Sequence, residues 1–365
     1  MLTDYYGNAL STSTGLARDN YDIGLRAFLS ANYGAEEAFS QAVEADPNFA
    51  LAYLGLARSF MSSGQPNEAK ITLKKAKNVL DGVTEREKSH FLCCELILSG
   101  ASAKAKASVD KHVSEWPRDA MIAQMNTSVF GLIGFSGQVG REIDLLEYTQ
   151  KLLPYYTNDW WMISMHAISL CETGQTLESM QLMEKALKLN PRNANAAHFF
   201  AHILYEENEV AAGREYLNAW MPNYDRRSFL HGHLSWHQAL WALHDGDEST
   251  MWEIVDAAVS QKNTSSLPIN ALTDTASIYY RAELAGFSVS SERWLNLSQY
   301  AANKFPIPPR LKAPGANPPK DALPNTPPML VPGIPNAAAP INAALPISDF
   351  AIFFTVLPTF LTAFL

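Results

Sequence analysis

Cysteine, strand-forming runs and positive charge are all scarce in this 365-residue chain. Its three cysteines, Cys93, Cys94 and Cys171, are odd in number and include an adjacent pair, which excludes a disulfide framework, and no CxxC spacing is present. A reducing, cytoplasmic setting is the expectation. Alternating Val/Ile/Thr runs and Asn-Gly turns are missing, which argues against a β-sheet fold. Lys and Arg number 28 against 37 Asp and Glu, giving a net charge of −9 and a pI near 5.5. An acidic surface argues against nucleic acid or an anionic membrane as the main partner. The small Lys cluster of "AKITLKKAKNVL" reads as a solvated helix face. There is no GxxxxGK[ST] loop, no GxGxxG, no HExxH and no GxSxG elbow. The N-terminal stretch "MLTDYYGNALSTSTG" has neither a basic region nor an apolar run, so no secretory signal is expected there.

What is present is a repeat. "ALAYLGLARSFMSSGQPNEAKITLKKA" reads as an apolar helix, a Gly-centred turn and a second helix. Tyr53, Leu56, Ala57, Phe60, Gly64, Ala69, Leu73 and Ala76 fall at the spacing of the tetratricopeptide consensus. Small Ala57 and Ala69 let two helices approach, Gly64 supplies a permissive turn backbone, and the larger residues fill the gap. The template fits again with Ala167, Leu170, Gly174, Met183, Ala186 and Pro191, and more loosely with Phe200, Ala201, Leu204, Gly213 and Leu217. "TERE" at Thr84 to Glu87 is a capping box. The expected fold is therefore all-α: a tetratricopeptide-like helical-hairpin solenoid of about sixteen helices between residues 12 and 303. Its concave groove would be lined mostly by the first helix of each pair.

Residues 1–305 are assigned to this solenoid, and residues 306–365 to a Pro-rich irregular tail. After Asp321 only Asp349 is charged, and the end reads "FAIFFTVLPTFLTAFL". Three readings stand for it: a linker with a membrane anchor at 350–365, an apolar segment that packs into the groove, or a shifted reading frame. The anchor is disfavoured by its shortness, by Pro358 in its middle and by the lack of flanking Lys or Arg. The shifted frame is the preferred reading.

The sequence also resembles the tetratricopeptide-repeat protein 38 family, called StaR-like. The likeness covers about residues 8 to 303. It is carried by "ALSTSTGLARDNYDIGLRAFL", "AFSQAVEADPNFALAY", "LLPYYTNDWWMISMHAISLCETGQ" and, most specifically, "LTDTASIYYRAELAGFSVSSERW". The resemblance implies an α-helical repeat fold and no defined reaction. Family chains continue with further helices where this one turns Pro-rich after "YAANKFP".

Six of the nine histidines lie between His198 and His244. His198 and His202 are four residues apart, as are His233 and His237, so each pair shares a helix face. The two pairs are offset by 35 residues, close to one repeat of about 34. In the repeat template His198, His202 and Glu206 fall on the groove-facing stripe. His233 falls on the same stripe of the next repeat, and His237 lies toward its edge beside Trp236. The resemblance implies His at these four positions and Trp at 236. It also implies a Glu soon after the second histidine, where this chain has Tyr205, and that departure weakens an acid/base role for a carboxylate there.

Four readings of the cluster are open on the sequence alone. It could be a hydrogen-bond network between packed helices, or a ligand pocket with Trp236, Tyr205 and Phe199. It could also be a metal site, or an acid/base centre. Asp274 and Arg281, seven apart on one expected helix, pair with each other or with the histidines. Trp160 is expected in the core and Trp161 in the groove, both in packing roles. Cys93 and Cys94 are expected to be buried and unreactive. The cofactor stays unassigned. Two function classes follow: a binding or scaffold module holding a small molecule, protein or peptide in a His-rich groove, or an enzyme of unassigned reaction built on the same histidines.

Overall fold

The computed structural model describes residues 1–127 and 130–306. The expectations placed on the tail lie outside the described residues. Within them the chain forms helical hairpins in sequence: α1 (Gly15–Leu29), α2 (Ala35–Ala45), α3 (Ala50–Ser62), α4 (Pro66–Lys77), α5 (Glu85–Leu98), α6 (Ser102–Glu115), the short α7 (Ala120–Ala123), α8 (Arg141–Leu152), α9 (Trp160–Glu172), α10 (Thr176–Leu189), α11 (Ala194–Glu206), α12 (Val210–Trp220), α13 (His231–His244), α14 (Glu248–Ile254), α15 (Pro268–Leu284) and α16 (Ser291–Lys304). A π-helical turn, Val255–Val259, extends α14. No β-strand occurs among the described residues, where the one bridge joins Thr3 to Ala9. The sixteen α-helices and the hairpin order match the solenoid read from the sequence.

Small residues set the distances between helices. Ala57, Ala69 and Ala76 are fully buried, as are Ala167, Met183 and Ala186 in the hairpin of α9 and α10. Gly64 and Gly174 turn these hairpins with φ of +74° and +80°, a backbone that costs an L side chain strain. The Phe39 ring of α2 lies flat against Gly24 of α1 and Gly55 of α3; a Cβ on Gly24 would fall 2.8 Å from it, and one on Gly55 would fall closer still. The Thr84–Glu87 capping box forms as expected.

Residues 2–12 lie across the starts of the first helices. Tyr5 N donates to Asp22 of α1, at 2.8 Å, and Thr12 Oγ1 to Asp46 ahead of α3, at 2.5 Å. Ser11 N donates to Glu87 of α5 at 3.0 Å, and Arg118 Nε to the Tyr6 carbonyl at 2.6 Å. The Tyr6 ring packs against Tyr156 and Trp161, with centroids 5.4 and 6.4 Å away. Trp161, expected in an open groove, is instead wholly buried, because this strap covers it. The superhelix also closes on itself. The Ala31 carbonyl accepts from Tyr224 Oη, Tyr33 N donates to Ser228 Oγ, and Ala194 N donates to the Ser30 carbonyl.

Gly55→Val forces bulk into the Phe39 contact. The expected loss is about 1–3 kcal/mol, read as a lower denaturant midpoint with unchanged helical signal. An unchanged midpoint would show that the α1–α2–α3 approach is not set by these glycines.

Candidate functional site

Two helices and a third behind them build the site. α11 is started by Asn193, whose side-chain oxygen accepts from Ala196 N at 3.2 Å. The fully buried Ala194, Ala196 and Ala197 let α11 sit deep among its neighbours. α13 is held just as closely: Gly232 abuts Thr264, Ser266 and the Ala258 carbonyl of the π-helical turn, leaving no room for a Cβ. Thr275 Oγ1 of α15 reaches the Val259 carbonyl of the same turn at 3.4 Å. The π-helical turn is thus wedged between the two helices that carry His233 and Asp274.

The four histidines converge. His198 Nε2 lies 2.8 Å from His202 Nε2, 3.1 Å from His233 Nε2 and 3.2 Å from His237 Nε2, and the donor nitrogens all fall within 4.8 Å of one another. His198 and His233 are buried; His202 and His237 are half-buried. His233 Nδ1 is 2.9 Å from Asp274 Oδ2. A carboxylate only accepts, so Nδ1 carries the proton, and in the neutral ring Nε2 then presents a lone pair to the centre. Trp236 stacks on the His233 ring, with centroids 5.2 Å apart and planes at 17°, and fixes its orientation. Phe199 packs beside His198.

A ring nitrogen holds either one proton or one lone pair. His198 Nε2 can therefore make one true hydrogen bond among its three short contacts. The remaining contacts set like groups against each other or share one proton, whereas a cation among the nitrogens would let every ring present a lone pair to it. Nitrogens bonded at ~2.05 Å around a tetrahedral ion lie roughly 3.3 Å apart. The three contacts of His198 are close to this, and the set of four, spread over up to 4.8 Å, would have to draw together around an ion. Burial, followed by the positive charge each neighbouring ring would carry, holds His198 and His237 well below the usual histidine range and lowers His202 to about 3. All three are neutral, metal-competent imidazoles at neutral pH.

The structure sorts the candidates read from the sequence. His198, His202, His233 and His237 meet in one site, with His237 inside the cluster and not at its edge. Trp236 is a buried wall. Asp274 pairs with the cluster, whereas Arg281 turns back to Ser277 Oγ at 3.3 Å and the Asp274–Arg281 pair does not form. Glu206 and Tyr205 are exposed past the end of the site, so the four rings sit in a seam between helices and not in an open aromatic groove. A cavity of about 430 Å³ lies elsewhere, lined by residues that include Asn32, Arg192, Trp220 and Tyr224. Cys93 and Cys94 are buried, and burial pushes their thiols up to about 11 and about 12. A second buried cluster was not anticipated: Asp119 meets Arg86 at 2.5 Å, His90 at 3.0 Å and His112 at 3.2 Å. Burial alone would raise the Asp119 carboxyl, but the charges of His90 and Arg86 hold it well below the usual range. Arg86 and His90 are four apart on α5, but no repeat offset ties them to His112 and Asp119, which is why no pattern disclosed the cluster.

A family model for the tetratricopeptide repeat matches residues 34–82. Among solved structures, the human IFIT1 dimer with PPP-AAAA is similar at 13% identity and a TM-score of 0.50, over 79% of this chain and 69% of that one. A tetratricopeptide repeat protein from Parabacteroides merdae is similar at 14% identity and a TM-score of 0.40, over 79% and 98% of the two chains. The first of these likenesses concerns the fold alone. No described helix is long and apolar enough to cross a membrane.

Acid should destabilise this site in chelator-treated protein. Above about pH 6.5 the His198, His202 and His237 rings are neutral both folded and unfolded. Below it the unfolded chain takes up protons that the folded site refuses, so stability falls as pH falls. The slope approaches ~1.4 kcal/mol per pH unit for each ring, and for His202 it persists down to about 3. Asp22, raised to about 6 chiefly by burial, works in the opposite sense and offsets part of the loss. Urea midpoints at pH 7.5 and 5.5 should therefore drop more for the native sequence than for a His198→Gln/His202→Gln variant. Equal drops would show that the rings titrate as free histidines.

Proposed function

We propose that this chain is a tetratricopeptide-type binding module whose ligand is a divalent transition-metal ion, held by His198, His202, His233 and His237. One observation carries the reading: four imidazole nitrogens, one of them turned inward as a lone-pair donor by a buried carboxylate on its ring's other nitrogen, lie within 4.8 Å of one another. Imidazole suits zinc, copper, nickel and iron, and the absence of any carboxylate among the four donors disfavours magnesium and calcium. Asp274 supplies the outer hydrogen bond that metal-bound histidines usually make.

Other occupants find less support. The human IFIT1 structure was solved with PPP-AAAA, but a net charge of −9 here opposes an RNA ligand. An extended peptide along the first helices would compete with the strap of residues 2–12, which already bonds to their starts. The ordered sequence blocks between residues 8 and 303 support placing the chain with the StaR-like proteins, and three buried thiols support a reducing, cytoplasmic setting.

Purified protein should bind one equivalent of Co(II), with the visible d–d bands of nitrogen coordination and displacement by Zn(II). Asp274→Asn keeps the shape but loses the fixed tautomer of His233, and should weaken the ion by about 10–100-fold. His198→Gln should abolish stoichiometric binding. Full binding in the His198→Gln variant would place any ion elsewhere and overturn the reading.

A further inference from the structure

The metal site stands on a boundary between packing cores. The first core runs through α1 to α11 and includes Ala196, Phe199 and Ile203, the neighbours of His198 and His202. A separate core belongs to α13–α16 and the π-helical turn. It includes Trp236, Ala239, Val255, Val259, Ile278 and Tyr279. His233 and His237 flank Trp236 in that second core, and Asp274 lies one turn before Ile278 on α15. The four donors therefore come two from each body. A further cluster, with Ala201, Leu217, Leu234 and Trp241, also spans the boundary.

We infer that the metal ion is a latch between these two bodies, and that its occupancy sets how tightly α13–α16 dock on the preceding helices. This inference rests on the metal reading above and adds a role for the ion. The bonds explain the direction. With an ion in place each body contributes two ligands to one centre, and parting them breaks metal bonds. Without it only N–H···N hydrogen bonds between neutral rings can cross the boundary here, and His198 Nε2 can satisfy one of its contacts at a time, so the docking is looser. Access fits a reversible latch, because His202 and His237 keep part of their surface in solvent. An ion can thus enter from that side without the chain unfolding. Asp274 carries the effect one helix further, since it ties His233 to α15 at 2.9 Å.

Hydrogen exchange of the full chain, chelator-treated and then supplied with one equivalent of Zn(II), tests this directly. Zn(II) binding is measured in parallel by displacement of Co(II). The expected result is that Zn(II) slows amide exchange at least tenfold in α13, the 255–267 segment and α15, and leaves α3–α6 unchanged. Binding with no change in α13–α15 would overturn the latch and leave the metal reading intact. A uniform slowing over all helices would also overturn it, since that reports general stabilisation by a ligand. No stoichiometric binding would remove both. This comparison uses the native sequence alone, so a variant that fails to fold cannot confuse it; in a separate titration Asp274→Asn should shift the Zn(II) concentration that gives half-maximal protection upward by about 10–100-fold.

Discussion

Close approach of helix axes is the constraint from which the rest of this structure follows. Gly24 and Gly55 receive the face of Phe39, and fully buried alanines occupy the same role in later hairpins. Where side chains are this small, the rise and rotation from one hairpin to the next are fixed by backbone contact, with little slack. The curvature that accumulates brings the turn after α1 against α11 and α13. The same geometry brings α11 and α13 within reach of each other's histidine side chains, so that rings four residues apart on each can meet.

The convergence carries an electrostatic consequence. Burying neutral bases costs less than burying charges, but each ring nitrogen must then find a proton to accept or donate. Asp274 resolves this for one outward nitrogen and leaves His198 Nε2 with three ring nitrogens around it and only one proton or lone pair to share among them. The Asp119 cluster makes an instructive contrast. There a carboxylate stands at the centre and cationic or neutral donors surround it, so the charges complement each other with nothing added. The histidine site has the opposite polarity: electron pairs at the centre and the carboxylate outside.

The hairpin architecture was legible because its determinants are local. Ala57, Gly64 and Ala69 are read within one repeat, and the 35-residue offset between the two histidine pairs is nearly one repeat length. That offset placed His198, His202 and His233 on a common stripe. It could not say that His237 would join them, since a rotation of α13 of a few tens of degrees decides that, and the rotation depends on Gly232 meeting the π-helical turn. Nor could it choose between Arg281 and the histidines as the partner of Asp274. Both lie within reach in sequence terms, and only the packing of α15 on the turn at Val259 selects one. The strap over Trp161 was illegible for the same reason: its partners Asp22, Asp46, Glu87 and Arg118 are scattered through four repeats.

That strap, together with the closure of the Ser30–Tyr33 turn on residues 194, 224 and 228, changes how the chain must reach its native state. An open repeat array folds by nearest-neighbour growth, and any stretch of it can nucleate. Here residues near position 10 need α5 and α9 already in place, and the turn after α1 needs helices almost two hundred residues away. Such contacts raise the mean sequence separation of the native pairs and slow the search for them. The molecule is built of one-dimensional parts, yet its kinetics should be those of a ring that counts as folded only once the turn after α1 has met residues 194–228.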